Sequence, residues 1–322
     1  MRNGTYTEFR TPSDSYFLYY WMVSPQGKGE LERAKIGSAQ PAFTINLLKQ
    51  MSVTLPPLVL QGRIASILSS YDDLIKNNTR RIKILEQMAE MIYREWFVDF
   101  RFPGYEKMQM VESELGPIPE GWTARNLFDV AHVTYGFPFK SKLFTNGGDG
   151  TSVIRIRDIK DNFSNTVTTE SVDPKYVVED GDLLVGMDGD FHMGKWAGGK
   201  AYLNQRVVRF RPSIDVSPYF LFLALQAPIH HFDSTIVGTT VAHLSDRDLR
   251  SVILPVPSGN IRARSTAIFD ALFKLEIALK RKNSNLRTTR DFLLPKLISG
   301  DIPVEAANGT AADLMEEIAQ PA

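Results

Sequence analysis

The chain has 322 residues, which is long for a single average core, so the sequence predicts two or more folded units. Its formal net charge is zero, with 37 basic and 37 acidic residues, and this balance argues against a simple polyanion binder. The absence of cysteine excludes disulfides and cysteine-ligated zinc and fits a reducing compartment. With no long apolar run and no signal-peptide core at the N-terminus, we expect a cytoplasmic protein that does not contact a membrane.

A long amphipathic helix is predicted over residues 57–100. Its apolar residues recur in steps of three and four that sum to seven, which indicates a coiled-coil seam rather than a strand. Asn78 interrupts this seam with a polar side chain, a common device for fixing register. The seam consists of Ile64, Leu68, Tyr71, Ile75, Ile82, Leu85, Ala89, Ile92 and Trp96.

An internal repeat predicts a partner for this helix. Segments of residues 9–56 recur about 200 residues later, and a long helix is predicted after each copy. The second helix covers 257–297 and carries Leu272, Leu279, Leu286 and Leu293 at seven-residue intervals. The matching segments are Phe9-Arg10 with Phe210-Arg211, Tyr16–Tyr19 with Tyr219–Phe222, Gly37-Ser38 with Gly238-Thr239, and Val53–Pro56 with Val252–Pro255. We therefore expect the two helices to pack together, with the intervening chain returning the second one antiparallel.

The chain between the helices is predicted to be a mostly-β domain. Short β-like runs alternate with clusters of Gly, Asp and Asn, and Tyr219–Gln226 is predicted as a short helix. The predicted strands are Ala131–Tyr135, Thr151–Arg157, Asp182–Met187, Ala201–Phe210 and Val252–Pro255. The predicted fold class is α+β, with two long helices forming an antiparallel coiled-coil spacer. Charge is uneven outside this domain: residues 258–300 hold nine bases and three acids, whereas residues 301–322 hold five acids and no base.

An ordered set of motifs covers residues 1–300. It comprises Gly116–Trp122 (GPIPEGW), Tyr135–Ser141 (YGFPFKS), Ile154–Ile159 (IRIRDI), Gly181–Gly186 (GDLLVG), Leu203–Arg206 (LNQR), Gly238–Thr240 (GTT), Leu254–Pro257 (LPVP) and Glu95–Phe100 (EWFVDF). With the repeat, this set resembles the specificity (S) subunit of Type I restriction–modification enzymes.

The resemblance implies a non-catalytic DNA-recognition subunit with two target-recognition domains on an antiparallel helical spacer. Each domain reads one half of a bipartite site on double-stranded DNA. Adenine-N6 methyltransferase (M) subunits and restriction (R) subunits join the complex. The S subunit has no cofactor or metal of its own, while the M subunit uses S-adenosylmethionine and the R subunit uses ATP and Mg²⁺.

The sequence departs from this pattern at its N-terminus. Residues 1–56 match only the last third of a recognition domain and are predicted to be its remnant. We expect spacer helices at 57–103 and 258–300, a complete recognition domain at 104–257, and an acidic, disordered tail at 301–322. A truncated subunit without function and a half-subunit that pairs with another copy through the helices both stay open.

The candidate DNA contacts lie in polar segments of the complete domain. Basic side chains suit phosphates, and hydrogen-bonding side chains suit base edges. Arg155 and Arg157, two residues apart in a predicted strand, are expected on one face, and Gly136 is expected to let the backbone approach closely. The full set is Tyr135, Lys140, Ser141, Lys142, Arg155, Arg157, Lys160, His192, Lys195, Asn204, Gln205, Arg206, Thr239 and Thr240.

Three other functions compete with DNA recognition as interpretations of this sequence. A nuclease could use Asp149 with Asp158-Ile-Lys160, but one short match among 37 acids is expected by chance. Methyltransferase chemistry would need a glycine-rich cofactor turn and an (Asn/Asp)-Pro-Pro-(Tyr/Phe) loop, and neither is present. The five histidines form no metal pattern. A coiled-coil scaffold without DNA specificity is the remaining alternative.

Overall fold

The computed structural model of the chain describes residues 13–33, 53–236 and 242–304. The chain forms two compact units: unit 1 comprises Met1–Asn78 with Asn283–Ala322, and unit 2 comprises Thr79–Lys282. Among the sequence predictions, Thr239, Thr240 and the tail beyond residue 304 lie outside the described residues. The domain borders predicted at residues 57, 104, 258 and 301 stay a prediction.

The described α-helices are α1 (Ser15–Val23), α2 (Pro25–Arg33), α3 (Leu58–Tyr93), α4 (Leu127–Val130), α5 (Asp158–Asp161), α6 (Pro218–Thr235), α7 (Asp246–Arg250) and α8 (Gly259–Ser299). The described strands are β1 (Met110–Val111), β2 (Ile118–Pro119), β3 (Thr123–Asn126), β4 (Ala131–Tyr135), β5 (Phe144–Asn146), β6 (Thr151–Ile154), β7 (Thr166–Thr168), β8 (Val177–Val178), β9 (Leu183–Gly186), β10 (Met193–Lys195), β11 (Ala201–Leu203), β12 (Val207–Pro212) and β13 (Ile253–Val256). This mixture of helix and sheet confirms the predicted α+β class. Both predicted long helices are present, as α3 and α8.

In unit 1, the first part of α3 packs against the last part of α8. The two segments are antiparallel, because Asp72 pairs with Arg290 while the later Asn78 pairs with the earlier Asn283. Their apolar contacts form one buried cluster, which includes Ile64, Ile67, Leu68 and Tyr71 of α3 and Leu293 and Leu297 of α8. The predicted seam is therefore confirmed in this unit.

The polar interruption of the seam is a hydrogen-bonded pair. Asn78 Nδ2 donates to Asn283 Oδ1 at 2.9 Å, and both side chains are buried. Asn283 Nδ2 also lies 3.4 Å from the carbonyl of Ile75. Because a buried amide needs partners, only a register that places these two residues opposite each other satisfies both.

The short helix α1 shows the internal repeat in three dimensions. Phe17 is buried in α1, as is its counterpart Phe220 in α6. Tyr16 is exposed, however, whereas its counterpart Tyr219 is buried, with its ring 6.2 Å from that of Phe269 and 5.6 Å from that of Phe273 in α8. No strand lies among the described residues of unit 1.

In unit 2, the rest of α3 continues into a π-helical turn, Arg94–Val98. Phe97 lies in a cluster of aromatic rings, 5.4 Å from Trp122 and 6.0 Å from Phe269 between ring centroids. Glu86 lies near Lys280, further along α8. The two helices are therefore antiparallel in this unit as well.

Two sheets form the body of unit 2. An antiparallel sheet has the order β10-β9-β12-β4, and a mixed sheet has the order β5-β7-β6-β11-β8. Leu184 and Val207 of the first sheet share a buried cluster with Ile154 and Leu203 of the second. The opposite face of the first sheet packs on α6 and the long helices. Because both faces of β9 are buried, its sequence is a continuous apolar run rather than an alternating one.

Three predicted elements differ from the structure. The strand predicted over Thr151–Arg157 ends at Ile154, and the strand predicted over Ala201–Phe210 is two strands, β11 and β12, with a turn at residues 204–206. The helix predicted over Tyr219–Gln226 extends to Thr235 through Pro228.

Candidate nucleic-acid interface

Five of the predicted contact residues line one open cleft of about 520 Å³ in unit 2. The cleft is built from three segments: residues 155–157 after β6, residues 188–192 between β9 and β10, and residues 204–206 between β11 and β12. Its lining consists of Arg155, Ile156, Arg157, Asp188, Asp190, His192, Asn204 and Arg206.

Strand pairing explains why these three segments meet. β6 and β11 are parallel, with Ile154 opposite Leu203, so both strands end at the same edge and their following residues lie side by side. β9 and β12 are antiparallel, with Gly186 opposite Val207, so the exit of β9 meets the entry of β12. The N–H of Met187 accordingly donates to the carbonyl of Arg206 at 2.9 Å.

The two arginines after β6 are not on one face of a strand, so that part of the prediction is wrong. They lie in a turn, and Asp158 holds the first of them: Arg155 Nε lies 3.1 Å from Asp158 Oδ2, which also accepts from the N–H of Arg155 at 2.9 Å. The Arg155 side chain is 28 % exposed, whereas that of Arg157 is 71 % exposed and 3.9 Å from Asp158. Arg157 is therefore the more available of the two cations.

The turn at residues 204–206 is fixed by the segment that follows β4. The N–H of Phe137 donates to the carbonyl of Leu203 at 2.8 Å, and the N–H of Gln205 donates back to Phe137 at 3.0 Å. A Cβ atom at Gly136 would lie 1.9 Å from the carbonyl oxygen of Asn204. The close backbone approach that Gly136 permits is to the chain's own turn.

Asp188 organises the other side of the cleft. Its Oδ1 lies 2.6 Å from His243 Nδ1, and its Oδ2 lies 3.2 Å from Arg206 Nε. The ion pair orients Arg206, whose side chain is half exposed. A guanidinium held in this way keeps donors free on its other edge for a base or a phosphate.

The segment after Asp188 is braced on both sides of Asp190. The N–H of Gly189 donates to the carbonyl of Ala242 at 3.0 Å, and the N–H of Phe191 donates to Asp233 Oδ1 at 3.0 Å. Phe191 is buried, while the Asp190 side chain is 83 % exposed. His192, the next polar residue, lines the cleft with its ring about one fifth exposed.

The family model for the Type I restriction modification DNA specificity domain matches residues 5–87 and 119–286, which is most of the chain. This chain belongs to that family. It is a DNA-recognition chain of a Type I restriction–modification system, in the specificity role, which is non-catalytic. The resemblance inferred from the ordered motifs is confirmed.

Named relatives agree with this assignment. The chain is 37 % identical over 141 residues to the EcoBI specificity subunit of Escherichia coli, covering 44 % of this chain and 30 % of that protein. It is 25 % identical over 308 residues to the MjaIX specificity subunit of Methanocaldococcus jannaschii, covering 90 % of this chain and 70 % of that one. The fold is similar to the S subunit of a Type I system from M. genitalium, with a TM-score of 0.57, 19 % identity, and coverage of 88 % of this chain and 72 % of that one.

The predicted contact residues between 135 and 142 differ in their environment: Tyr135 is held by a hydrogen bond, whereas the others are exposed. The Tyr135 hydroxyl donates to Asp246 Oδ1 at 2.7 Å; burial and this bond raise the pKa of Tyr135, while the bond lowers the pKa of Asp246. Lys140, Ser141 and Lys142 are exposed around a short 3₁₀ turn, and none of them lines the cleft. Gln205 is exposed in the same turn as two cleft residues.

Lys195 has a structural environment that argues against the predicted DNA contact. Its side chain is 5 % exposed, and its Nζ lies 2.9 Å from Glu276 Oε1 and 4.5 Å from the ring centroid of Tyr219. Desolvation by burial lowers the pKa of Lys195. Burial opposes the charged form of Glu276, but the attraction of Lys195 and of Lys280, at 2.7 Å, lowers its pKa overall. An ammonium committed to a buried carboxylate cannot also reach a phosphate in this conformation.

Lys160 lies apart from the cleft. It is exposed and lines a smaller depression of about 300 Å³, together with Glu86, Lys195 and Gln226. The nuclease alternative had grouped Lys160 with Asp158, but the Asp158 carboxylate is largely buried and occupied by Arg155. This geometry leaves no free carboxylate at Asp158.

Sequence reasoning missed three polar residues of the site: Asp188, Asp190 and His243. The segment Met187-Asp-Gly-Asp-Phe191 directly follows a predicted strand, and this position was the available signal. His243 is 55 residues away from Asp188 in the chain, and only the β-bridge between them places it there.

Proposed function

We propose that unit 2 reads one half of a bipartite DNA site through the cleft formed by residues 155–157, 188–192 and 204–206. The observation that carries this proposal is the convergence of three arginines with histidine, asparagine and aspartate groups in one open cleft. Arginine and asparagine are the side chains that pair bidentately with guanine and adenine, and arginine also binds phosphates. These groups lie on three segments that are anchored to strands of the two sheets, and this anchoring holds the segments in place.

The function of the whole complex follows as a further part of the proposal. The chain directs an adenine-N6 methyltransferase that uses S-adenosylmethionine, and restriction subunits that use ATP and Mg²⁺, to the DNA site. It holds no cofactor itself. Such a complex acts on intracellular DNA, which places the chain in the cytoplasm.

A salt titration of binding tests the DNA contact. With the chain and its methyltransferase partner together, R157A and R206A each remove one exposed guanidinium from the cleft. If the side chain contacts a phosphate, the slope of log affinity against log salt falls by about one per variant. If it contacts a base, affinity for the specific site falls by ~1–3 kcal/mol while binding to random duplex is kept.

Arg125, exposed on β3 and absent from the cleft, provides the matched control. R125A should leave both the slope and the specific affinity unchanged. Binding that is equally strong for the site and for random duplex in the unmodified complex would contradict DNA reading. Unchanged binding by both cleft variants would contradict the position of the interface.

An apolar stripe on α3 supports contact with the methyltransferase subunit. Ile84, Met88 and Met91 are spaced by four and three residues, so they share one helix face, and all three are exposed. Exposed apolar patches on soluble proteins commonly mark protein interfaces, and methionine adapts to irregular partners. We expect M88D to weaken co-purification with the methyltransferase at least tenfold.

Lys83 offers a control on another face of the same helix, where it is exposed. K83D changes charge without altering the stripe and should retain the partner. Retention of the methyltransferase by M88D and by the double variant I84D/M88D would show that the partner binds elsewhere.

A further inference from the structure

The Asp190 carboxylate is unusual among the charged groups of the cleft. Arg155 and Arg157 are near Asp158, and Arg206 pairs with Asp188. Among the described residues, Asp190 has one ion-pair partner, His192, whose Nε2 lies 3.9 Å from the carboxylate, which is too long for a hydrogen bond. The Asp190 carboxylate is thus a well-exposed acceptor in a cleft where Arg155 and Arg206 pair with other acids.

A carboxylate in this place opposes binding to phosphates. Duplex DNA carries one negative charge per ~1.7 Å of its axis, so an exposed anion in the interface lowers affinity for every sequence alike. A residue that served only affinity would be neutral or basic. The cost is offset when the carboxylate accepts a hydrogen bond from a base, and the group that acidic side chains recognise in the major groove is the N4 amino group of cytosine.

The backbone around Asp190 is positioned before any DNA arrives. Gly189 and Phe191, its two neighbours, are both held by hydrogen bonds to distant segments, and the N–H of His192 donates to the carbonyl of Asp190 at 2.7 Å. Gly189 adopts φ +70°, which turns the chain sharply at this point. A braced loop places one acceptor at a fixed depth, as base recognition requires.

We infer that Asp190 is a specificity-determining residue that accepts a hydrogen bond from the N4 amino group of a cytosine in the recognised half-site. This inference rests on the proposed DNA-reading function of the same cleft. It assigns to one named side chain the preference for a G·C pair at one position of the site.

Selection of bound duplexes from a randomised library tests this assignment, with the chain in complex with its methyltransferase. D190N replaces an acceptor with an amide that suits adenine, so the preferred base at one position should change from cytosine to adenine. D190A should abolish the preference at that position, reducing discrimination by roughly 5- to 150-fold, with the other positions unchanged.

Asp215 provides the control, because it is exposed beyond the far end of β12 from Arg206. D215N makes the same chemical change and should leave the selected site unaltered. If D190N and D190A bind all sequences more tightly but select the same site as the unmodified chain, Asp190 acts only through charge and the inference is wrong. If the unmodified complex selects no site, the proposed function fails instead, so the two failures are distinguishable.

Discussion

Lys195 illustrates how position in the fold determines the role of a single residue. In the sequence it lies among aromatic, basic and imidazole groups in a glycine-flanked segment, which is typical of a contact loop. In the structure it ends β10, directly after the braced segment of the cleft, and its ammonium pairs with Glu276 of α8. The residue connects the edge of the sheet to the long helix, and so it supports the cleft without lining it.

Removal of this buried cation should be costly. K195M leaves Glu276, which is fully buried, with Lys280 as its remaining near cation, and should reduce the free energy of unfolding by about 3 kcal/mol. The double variant K195M/E276L removes both buried charges and should return close to the original stability. Urea denaturation of the full chain measures both effects, with K200M at an exposed position as the control. Equal stability of K195M and the unmodified chain would contradict the structural role.

At the scale of the helices, Asn78 and Asn283 are a second case in which position in the fold determines the role of a residue. Sequence periodicity was sufficient to place Asn78 in the seam of α3, because seven-residue spacing leaves no other position for it. The partner could not be identified in this way, since several polar residues of α8 occupy the opposite seam. Only the register of the antiparallel pair brings Asn283 within 2.9 Å.

A single substitution in this pair should destabilise unit 1. N78L removes the hydrogen bond of a buried amide, and we expect a loss of ~1–3 kcal/mol in the free energy of unfolding. In N78L/N283L both polar groups are replaced, so the variant should be at least as stable as the unmodified chain, at the expense of a unique register. Chemical denaturation measures stability. A single variant as stable as the double variant would contradict the contribution of the Asn78–Asn283 hydrogen bond to stability.

The sheets set the limit of what local sequence pattern could predict. β4 was predicted to the residue, and Gly136 marks its end. The turn that separates β11 from β12 was missed, since the apolar residues on its two sides continue without a Gly or Pro to mark it. The cleft depends on long-range pairing of β6 with β11 and of β9 with β12, and such pairing leaves no local signal.

At the scale of the whole molecule, the even balance of charge does not describe the individual surfaces. The neutral total had argued against a simple polyanion binder, and the cleft agrees in part, since it alternates arginines with the aspartates that orient them. Because the aspartates repel phosphates, this arrangement lowers the affinity for the DNA backbone. The same ion pairs hold hydrogen-bond donors and acceptors in defined positions. We therefore expect this surface to contribute more to sequence preference than to total affinity.

In the proposed function, the cleft of unit 2 determines one half of the recognised site. Mapping N6-methyladenine across a genome whose methyltransferase carries this chain tests that claim most directly. The unmodified chain should yield one bipartite motif, and the variant R157A/R206A should lose or relax the bases that this cleft reads while the other bases of the motif are kept. R125A should reproduce the original motif. An identical motif with R157A/R206A at undiminished methylation would contradict the account.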